Sequence, residues 1–93
     1  MAIARVVSFD GVTNDRIDQL RDQVSGDQPE GLDAAELIVL HDPDAEKSLV
    51  ILLFETEEDY KRGDEFLNAM PADDTPGRRT SVTKYNVAMR MKS

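Results

Sequence analysis

Tyr60 and Tyr85 are the side chains of this 93-residue chain best suited to orienting a substrate. Both fall on predicted apolar faces, where a tyrosine brings an aromatic body and one hydroxyl group into a buried site. Such a hydroxyl can orient a substrate oxygen or share a proton with it. The alternative, and the commoner outcome for such residues, is core packing with the hydroxyl group hydrogen-bonded.

His41 and the pair Arg78-Arg79 are the other side chains suited to chemistry. His41 is the only imidazole, the group most used as a general base near neutral pH. It could act as a base or a haem ligand, but the adjoining Asp42-Pro43 turn favours a strand-end residue outside any helix–sheet cleft. The two arginines could clamp a carboxylate or phosphate in bidentate fashion. Their alternative is a salt bridge to the acidic remainder of the chain.

No metal or cofactor site is predicted. Asp42, Asp44 and Glu46 alternate like part of a calcium loop, but Lys47 stands where that loop needs glycine and Leu53 where it needs glutamate. This segment therefore predicts a solvated turn. One histidine and no cysteine cannot build the usual zinc site, and the five glycines form no phosphate-binding loop.

Several soft apolar residues could line a cavity for a flat hydrophobic ligand, because methionine adapts to irregular volumes. They are Phe9, Phe66, Met70, Met89 and Met91. Their alternative role is in the core or a dimer interface. Gly63 costs its helix about 1 kcal/mol relative to alanine, so it either allows close helix–sheet approach or leaves space for a ligand.

Composition limits the possible partners. The net charge of −8 argues against nucleic acid, whose phosphates would be repelled, and against anionic membranes. Residues 78–93 hold five bases and no acid. Such a segment is typical of an RNA-binding arm or of a strand edge that faces acidic neighbours. The alternation of these bases with apolar residues favours the strand edge. The absence of cysteine, and apolar runs no longer than the six residues 49–54, predict a cytoplasmic protein without a membrane span.

The elements that must position these residues follow from apolar spacing and helix caps. Thr13 and Thr56 are predicted N-caps, with Val12 and Ile17 as a hydrophobic staple at the first helix. Tyr60, Gly63, Leu67 and Met70 form the inner stripe of the second helix, which Pro71 ends. Strands are predicted over 3–9, 35–41, 48–54 and 80–91.

The resulting order, βαββαβ, predicts a single α+β domain over 1–93: a ferredoxin-like subunit with a four-stranded antiparallel sheet and two helices on one face. The other face would expose leucine, isoleucine or valine side chains from the second and third strands, and such a patch normally marks an interface. Covering ~600 Å² of it per subunit would contribute on the order of 15 kcal/mol before association costs. We therefore expect a homodimer formed through the sheet face.

With this element order the chain resembles the dimeric α+β barrel superfamily, and it is most similar to the small bacterial proteins of the antibiotic-biosynthesis-monooxygenase-like branch. The order of elements carries the resemblance over the whole chain, and the residues 56–59, 68–70, 77–82 and 85–88 carry its more specific part. The resemblance implies a ligand between the helices and sheet of each subunit. Haem degradation is not expected, because those members use tryptophan and this chain has none.

Oxygenases of this superfamily commonly use Trp, Tyr, Asn or Arg, so the resemblance suggests a candidate pocket of five residues: Tyr60, Phe66, Met70, Tyr85 and Asn86. Three functions stay open. The first is binding of a small hydrophobic or aromatic molecule, and the second is cofactor-independent oxygenation of an aromatic or polyketide-like substrate. The third is a non-catalytic interaction module whose pocket is filled by side chains. A pocket of about 300 Å³ with convergent polar groups would favour the first two, and a solid core the third.

Overall fold

The fold comes from a computed structural model, which describes residues 2–23, 32–69 and 77–91. Within these residues the four strands form one antiparallel sheet in the order β2-β3-β1-β4. This arrangement confirms the predicted ferredoxin-like α+β fold. The elements in chain order are β1 (Ile3–Asp10), α1 (Asn14–Gln23), β2 (Glu36–Asp42), β3 (Lys47–Phe54), α2 (Glu57–Asn68) and β4 (Arg78–Asn86).

Both helices begin at the predicted caps. The Thr13 Oγ1 atom accepts a hydrogen bond from the backbone N–H of Arg16 at 3.2 Å, and Thr56 Oγ1 accepts one from Asp59 at 3.1 Å. These bonds satisfy N–H groups that the first turn of a helix leaves without partners. Val12 and Ile17 share one buried cluster, which confirms the staple. The predicted stop at Pro71 lies outside the described residues.

β4 is shorter than predicted at its carboxyl end, stopping at Asn86 rather than Met91. Asn86 pairs with Ile3, the first residue of β1, so the strand has no ladder partner beyond this point. Val87 N–H still donates to the carbonyl of Ala2 at 2.9 Å, and the chain then leaves the sheet. The length of β4 is therefore set by β1 and not by the alternation of its own residues.

Both helices cover the same face of the sheet. Val7, Phe9 and Val12 pack with Ile17 of α1, whereas Phe54 and Leu52 pack with Tyr60 and Leu67 of α2. Strand register puts the core residues of β1 and β3 opposite one another on this face, as Ile3–Phe54, Arg5–Leu52, Val7–Val50 and Phe9–Ser48. We call this side the helix face.

The other side of the sheet, which we call the open face, carries no helix among the described elements. Ile38, Leu40 and Leu49 are 36%, 47% and 37% exposed there, as predicted for the second and third strands. Strand register assigns this face to Glu36, Ile38, Leu40 and Asp42 of β2, Lys47, Leu49, Ile51 and Leu53 of β3, Ala4, Val6, Ser8 and Asp10 of β1, and Arg78, Ser81, Thr83 and Tyr85 of β4.

The edge strand β2 is also exposed on the helix face. Leu37 is 42% and Val39 is 41% exposed, although both point toward the side that the helices occupy. β2 therefore exposes apolar side chains on both faces of the sheet. Its residues on the helix face can serve as controls for substitutions on the open face.

Candidate functional site

Tyr60 lies where α2 meets the sheet. Its ring contacts Phe54 edge-on, with centroids 5.7 Å apart and planes at 79°, and Lys84 Nζ lies 5.0 Å from the Tyr60 ring centroid. Lys84 also binds the carboxylate of Glu57 at 2.9 Å. Burial, and then the charge of Asp64, raise the pKa of Tyr60. The phenol is therefore a protonated hydrogen-bond group at neutral pH, and it is not suited to act as a base.

The other predicted pocket residues are not all on the side of Tyr60. Asn86 pairs with Ile3 and lies on the helix face, while its neighbour Tyr85 pairs with Ala4 and lies on the open face, 55% exposed. Adjacent residues of a strand point to opposite faces, so one subunit cannot bring Tyr85 and Asn86 into one helix–sheet pocket. The expectation that Tyr85 is buried within the subunit is wrong. Phe66 is half-buried on α2, and Met70 lies outside the described residues.

The space between α2 and β3 is filled at Gly63. A Cβ atom at this position would lie 2.5 Å from both Cε1 and Cζ of the Phe54 ring, closer than real contacts allow. Gly63 is buried in α2 and its backbone rests directly on that ring. The close-packing interpretation of Gly63 is confirmed, and the ligand-space alternative fails at this point of the interface.

Two cavities among the described residues lie on the surface. The larger, about 580 Å³, is a groove between the first turn of α1 and the β2–β3 turn, lined by Thr13, Asn14, Asp15, Pro43, Asp44 and Glu46. All six of these residues are exposed. A small-molecule site normally buries most of its ligand, which such a groove does not do. A second depression of about 190 Å³ adjoins the residues 40–42 and 47–49.

A buried arginine that the sequence analysis did not single out joins α2 to the sheet. Arg5 is 2% exposed, and its Nε donates to Asp64 Oδ1 at 2.9 Å while Nη2 donates to Asn68 Oδ1 at 3.1 Å. Asn68 Oδ1 also accepts from Arg79 Nη1 at 3.0 Å. We call these four residues the Arg5 cluster. Two features of the sequence could have indicated this cluster. One is the single charge at position 5 among the apolar Ile3, Val7 and Phe9, and the other is the i, i+4 spacing of the acceptors Asp64 and Asn68 in α2.

The Arg5 cluster is a structural connection between α2 and strands β1 and β4. A buried guanidinium requires partners, and here it has a carboxylate and an amide. α2 has no basic residue in its own last turn, so Arg5 and Arg79 supply the positive charge that its carboxyl end favours. No buried side-chain nitrogen or oxygen in the described part of the chain lacks a hydrogen-bond partner.

The other residues considered for chemistry also have structural partners. His41 Nε2 lies 2.9 Å from the carbonyl oxygen of Val12, so it donates a hydrogen bond to that oxygen. This bond connects the β2–β3 hairpin to the β1–α1 loop. This confirms the position of His41 at a strand end. Asp42 Oδ1 accepts from the N–H groups of Asp44 and Ala45, both at 3.2 Å, and so caps the turn.

Three of the four basic residues described near the carboxyl end, Arg78, Lys84 and Arg90, pair with acids of this chain as predicted, whereas Arg79 donates to the amide oxygen of Asn68. Arg78 lies 3.8 Å from Asp10, and Arg90 binds both Glu36 and Glu55 at 2.9 and 3.2 Å. No group of three potential metal ligands occurs among residues 2–23, 32–69 and 77–91. No helix within those ranges is long and apolar enough to cross a membrane.

The open face is the side of the sheet that neither helix covers, although at one end of it Leu53 and Ala4 are buried and Glu36 is bound by Arg90. Its middle is apolar, with Ile38, Leu40, Leu49 and Ile51 on β2 and β3 beside Val6 on β1. The other end is crossed by a row of four charged residues, Asp42, Lys47, Asp10 and Arg78, which we call the charged row. An apolar centre with a charged margin is the usual composition of a protein–protein interface.

Comparison of the chain with protein-family models, with curated proteins and with solved structures gives no match. The resemblance to the dimeric α+β barrel superfamily therefore stays a prediction from the sequence. The observations on which a function must rest are the open face and the close packing of α2 on β3 at Gly63.

Proposed function

We propose that the protein acts as a homodimer formed by contact between two open faces, and that this dimer is a non-catalytic interaction module. The observation that carries the proposal is the contiguous patch of exposed side chains at Ile38, Leu40 and Leu49 on a face without a helix. Patches of this kind are rare on monomeric proteins and usually mark an interface.

The size of the open face suits a second copy of the chain. Four strands about 4.8 Å apart and about 26 Å long give a flat area of about 500 Å² per copy. Because side chains project from the sheet, the accessible area that two copies bury exceeds about 1,000 Å², which is the lower range of specific interfaces. Half of the face would be too small, so the proposal requires that all four strands take part.

The interior supports the non-catalytic part of the proposal. Gly63 packs on Phe54 without a gap, and the polar groups of the Arg5 cluster bind one another. Close packing at this point favours an interaction module over the two ligand-binding alternatives. Binding of a small hydrophobic molecule and cofactor-independent oxygenation stay predictions from the sequence.

Two further parts of the proposal rest on the sequence. Membership of the monooxygenase-like branch of the dimeric α+β barrels rests on the order of elements, which also places an uncovered sheet face in each subunit. A cytoplasmic location rests on the absence of cysteine, which suits a reducing compartment.

Sedimentation velocity over a range of protein concentrations tests the dimer. We expect a dimer for the wild type and a monomer for Leu40→Glu, which places a charge in the middle of the proposed contact. Leu37→Glu is the matched control, because Leu37 is on the same strand, is similarly exposed, and points to the helix face. A wild-type monomer, or equal loss of dimer in both variants, would contradict the proposal.

Oxygen uptake tests the non-catalytic part separately. We expect no consumption of oxygen above the uncatalysed rate when the wild-type protein is mixed with an electron-rich aromatic compound such as anthrone. Uptake that depends on the protein and is lost in Tyr60→Phe would overturn this part of the proposal and leave the dimer untouched.

A further inference from the structure

We infer that the two open faces stack with their strand order reversed, so that β2 of one copy lies over β4 of its partner and β3 lies over β1. The two-fold axis then runs parallel to the strands, between β3 and β1. This inference rests on the proposed homodimer and adds which strands meet. A dimer of identical copies leaves two simple arrangements of complete overlap, with the axis either parallel or perpendicular to the strands.

The charged row distinguishes these arrangements. Its residues are register partners across the sheet, Asp42 with Lys47, Lys47 with Asp10, and Asp10 with Arg78. From β2 to β4 the signs therefore alternate as negative, positive, negative, positive. When the strand order of the partner is reversed, each charge of the row lies opposite a charge of the other sign. With the axis parallel to the strands, Asp42 faces Arg78 of the partner subunit and Lys47 faces the partner's Asp10.

The perpendicular axis gives a poor match at the same place. It turns the sheet end for end, so the charged row would lie over Glu36, Leu53, Ala4 and Tyr85 of the other copy. Asp42 would then lie over Glu36, whose carboxylate is already paired with Arg90, and Lys47 would lie over the buried Leu53 with no acid opposite it. Like charges and unpaired charges at an interface oppose association. The charges therefore favour the reversed order.

Side-chain size leads to the same arrangement independently. The β2–β3 half of the open face carries large residues at its centre, whereas the β1–β4 half carries small ones. In the reversed order Leu40 lies over the partner's Ser81 and Ile38 over the partner's Thr83. Large residues then fill the space above small ones, as interdigitating faces of packed sheets require. The perpendicular axis would instead stack the large half on itself and leave the small half underfilled.

Exposure at the charged row leaves its ends able to reach a partner. The Arg78 side chain is 81% exposed, and its contact with Asp10 is long, at 3.8 Å. Asp42 uses Oδ1 to cap the turn between β2 and β3 and is itself exposed. Asp42 and Arg78 lie on opposite edges of one sheet, and three strand spacings separate them by about 14 Å. Any energetic coupling between them must therefore cross between copies.

Chemical cross-linking tests the arrangement directly, because the chain has no cysteine and each introduced thiol is unique. Leu40→Cys and Ser81→Cys proteins are mixed and treated with a bis-maleimide that spans about 10 Å, the spacing of stacked sheets. We expect a cross-linked heterodimer from this pair. Leu40→Cys mixed with Ile38→Cys is the pair that the perpendicular axis would link, and Lys61→Cys on α2 is the control for random collision.

A double-mutant cycle on the dimer dissociation constant provides the second test. Asp42→Asn keeps the turn-capping oxygen while removing the charge, and Arg78→Gln removes the opposite charge. We expect each substitution to weaken the dimer by about three- to tenfold, and the double variant to be no weaker than either single one. The inference is overturned if the effects multiply, or if the Leu40–Ile38 pair cross-links in place of Leu40–Ser81. A wild-type monomer would instead overturn the proposed homodimer itself.

Discussion

At the scale of single residues, Gly63 is a position where the fold leaves no room for a side chain. The ring of Phe54 occupies the place where a side chain at position 63 would begin. We expect Gly63→Ala to lower the free energy of unfolding by about 1–3 kcal/mol, because the displaced ring costs more than the roughly 1 kcal/mol that alanine returns in helix propensity. Urea unfolding followed by circular dichroism measures this change.

The same experiment in a Phe54→Leu background identifies the cause. Leucine removes the ring atoms nearest to position 63, so Gly63→Ala should be neutral or stabilising there. Equal destabilisation in both backgrounds would mean that the ring is not the reason for glycine.

Arg5 and Arg79 form a natural comparison, because both donate to Asn68 Oδ1 and only Arg5 is buried. We expect Arg5→Ala to cost about 2–4 kcal/mol, since it leaves a partly buried Asp64 without its guanidinium and opens a cavity. Arg79→Ala should cost less than about 1 kcal/mol, because water replaces its hydrogen bond. Unfolding of the two variants in urea gives the comparison, and similar losses would contradict the role assigned to burial.

At the scale of elements, the carboxyl-terminal segment 87–91 is held to the sheet by Arg90. Its guanidinium binds Glu36, the first residue of β2, and Glu55, the residue after β3. Arg90 therefore connects these two strands to the segment. We expect Arg90→Ala to raise the amide exchange rate of Val87 by at least about threefold while β1 amides are unchanged. Arg21→Ala, which removes an exposed ion pair within α1, is the control and should leave Val87 unaffected.

Local signals predicted most of the elements. The caps at Thr13 and Thr56 and the apolar run 49–54 depend only on neighbouring residues, and the observed α2 and β3 begin within one residue of the predicted positions. The end of β4 could not be predicted in this way, because it depends on where β1 begins. The same limit explains the pocket residues: alternation separates Tyr85 from Asn86, but only the strand register shows which of them faces the helices.

At the scale of the whole molecule, the sequence predicted the uncovered face but not its pattern. Apolar residues on both sides of β2 and β3 were enough to predict an exposed patch. The charged row was not visible, because Asp10, Arg78 and the hairpin pair Asp42–Lys47 are far apart along the chain and become neighbours only through the pairing of β1 with β3 and β4. A pattern assembled from non-local contacts of this kind cannot be read from short motifs of the chain.

The net charge of the molecule decides how salt affects the proposed dimer. Two copies of charge −8, with centres about 25 Å apart as the shortest dimension of the chain suggests, repel by about 10 kcal/mol before screening. That repulsion is on the order of several kcal/mol at 0.01 M salt, where the Debye length is about 30 Å, and under about 1 kcal/mol at 0.15 M. The ion pairs of the charged row are exposed at the margin of the contact and contribute about 0–1 kcal/mol each. Added salt therefore removes less stabilisation from these pairs than it removes repulsion between the two net charges.

We therefore expect the dimer dissociation constant to fall as sodium chloride rises from 0.01 to 0.15 M, which sedimentation equilibrium can measure. Arg78→Gln should show a steeper fall than the wild type, because it raises the net negative charge and removes a contact that salt weakens. Leu37→Glu adds one negative charge away from the contact and controls for net charge alone. A dimer that weakens with salt would mean that local charge pairs, and not apolar burial opposed by net repulsion, hold the two copies together.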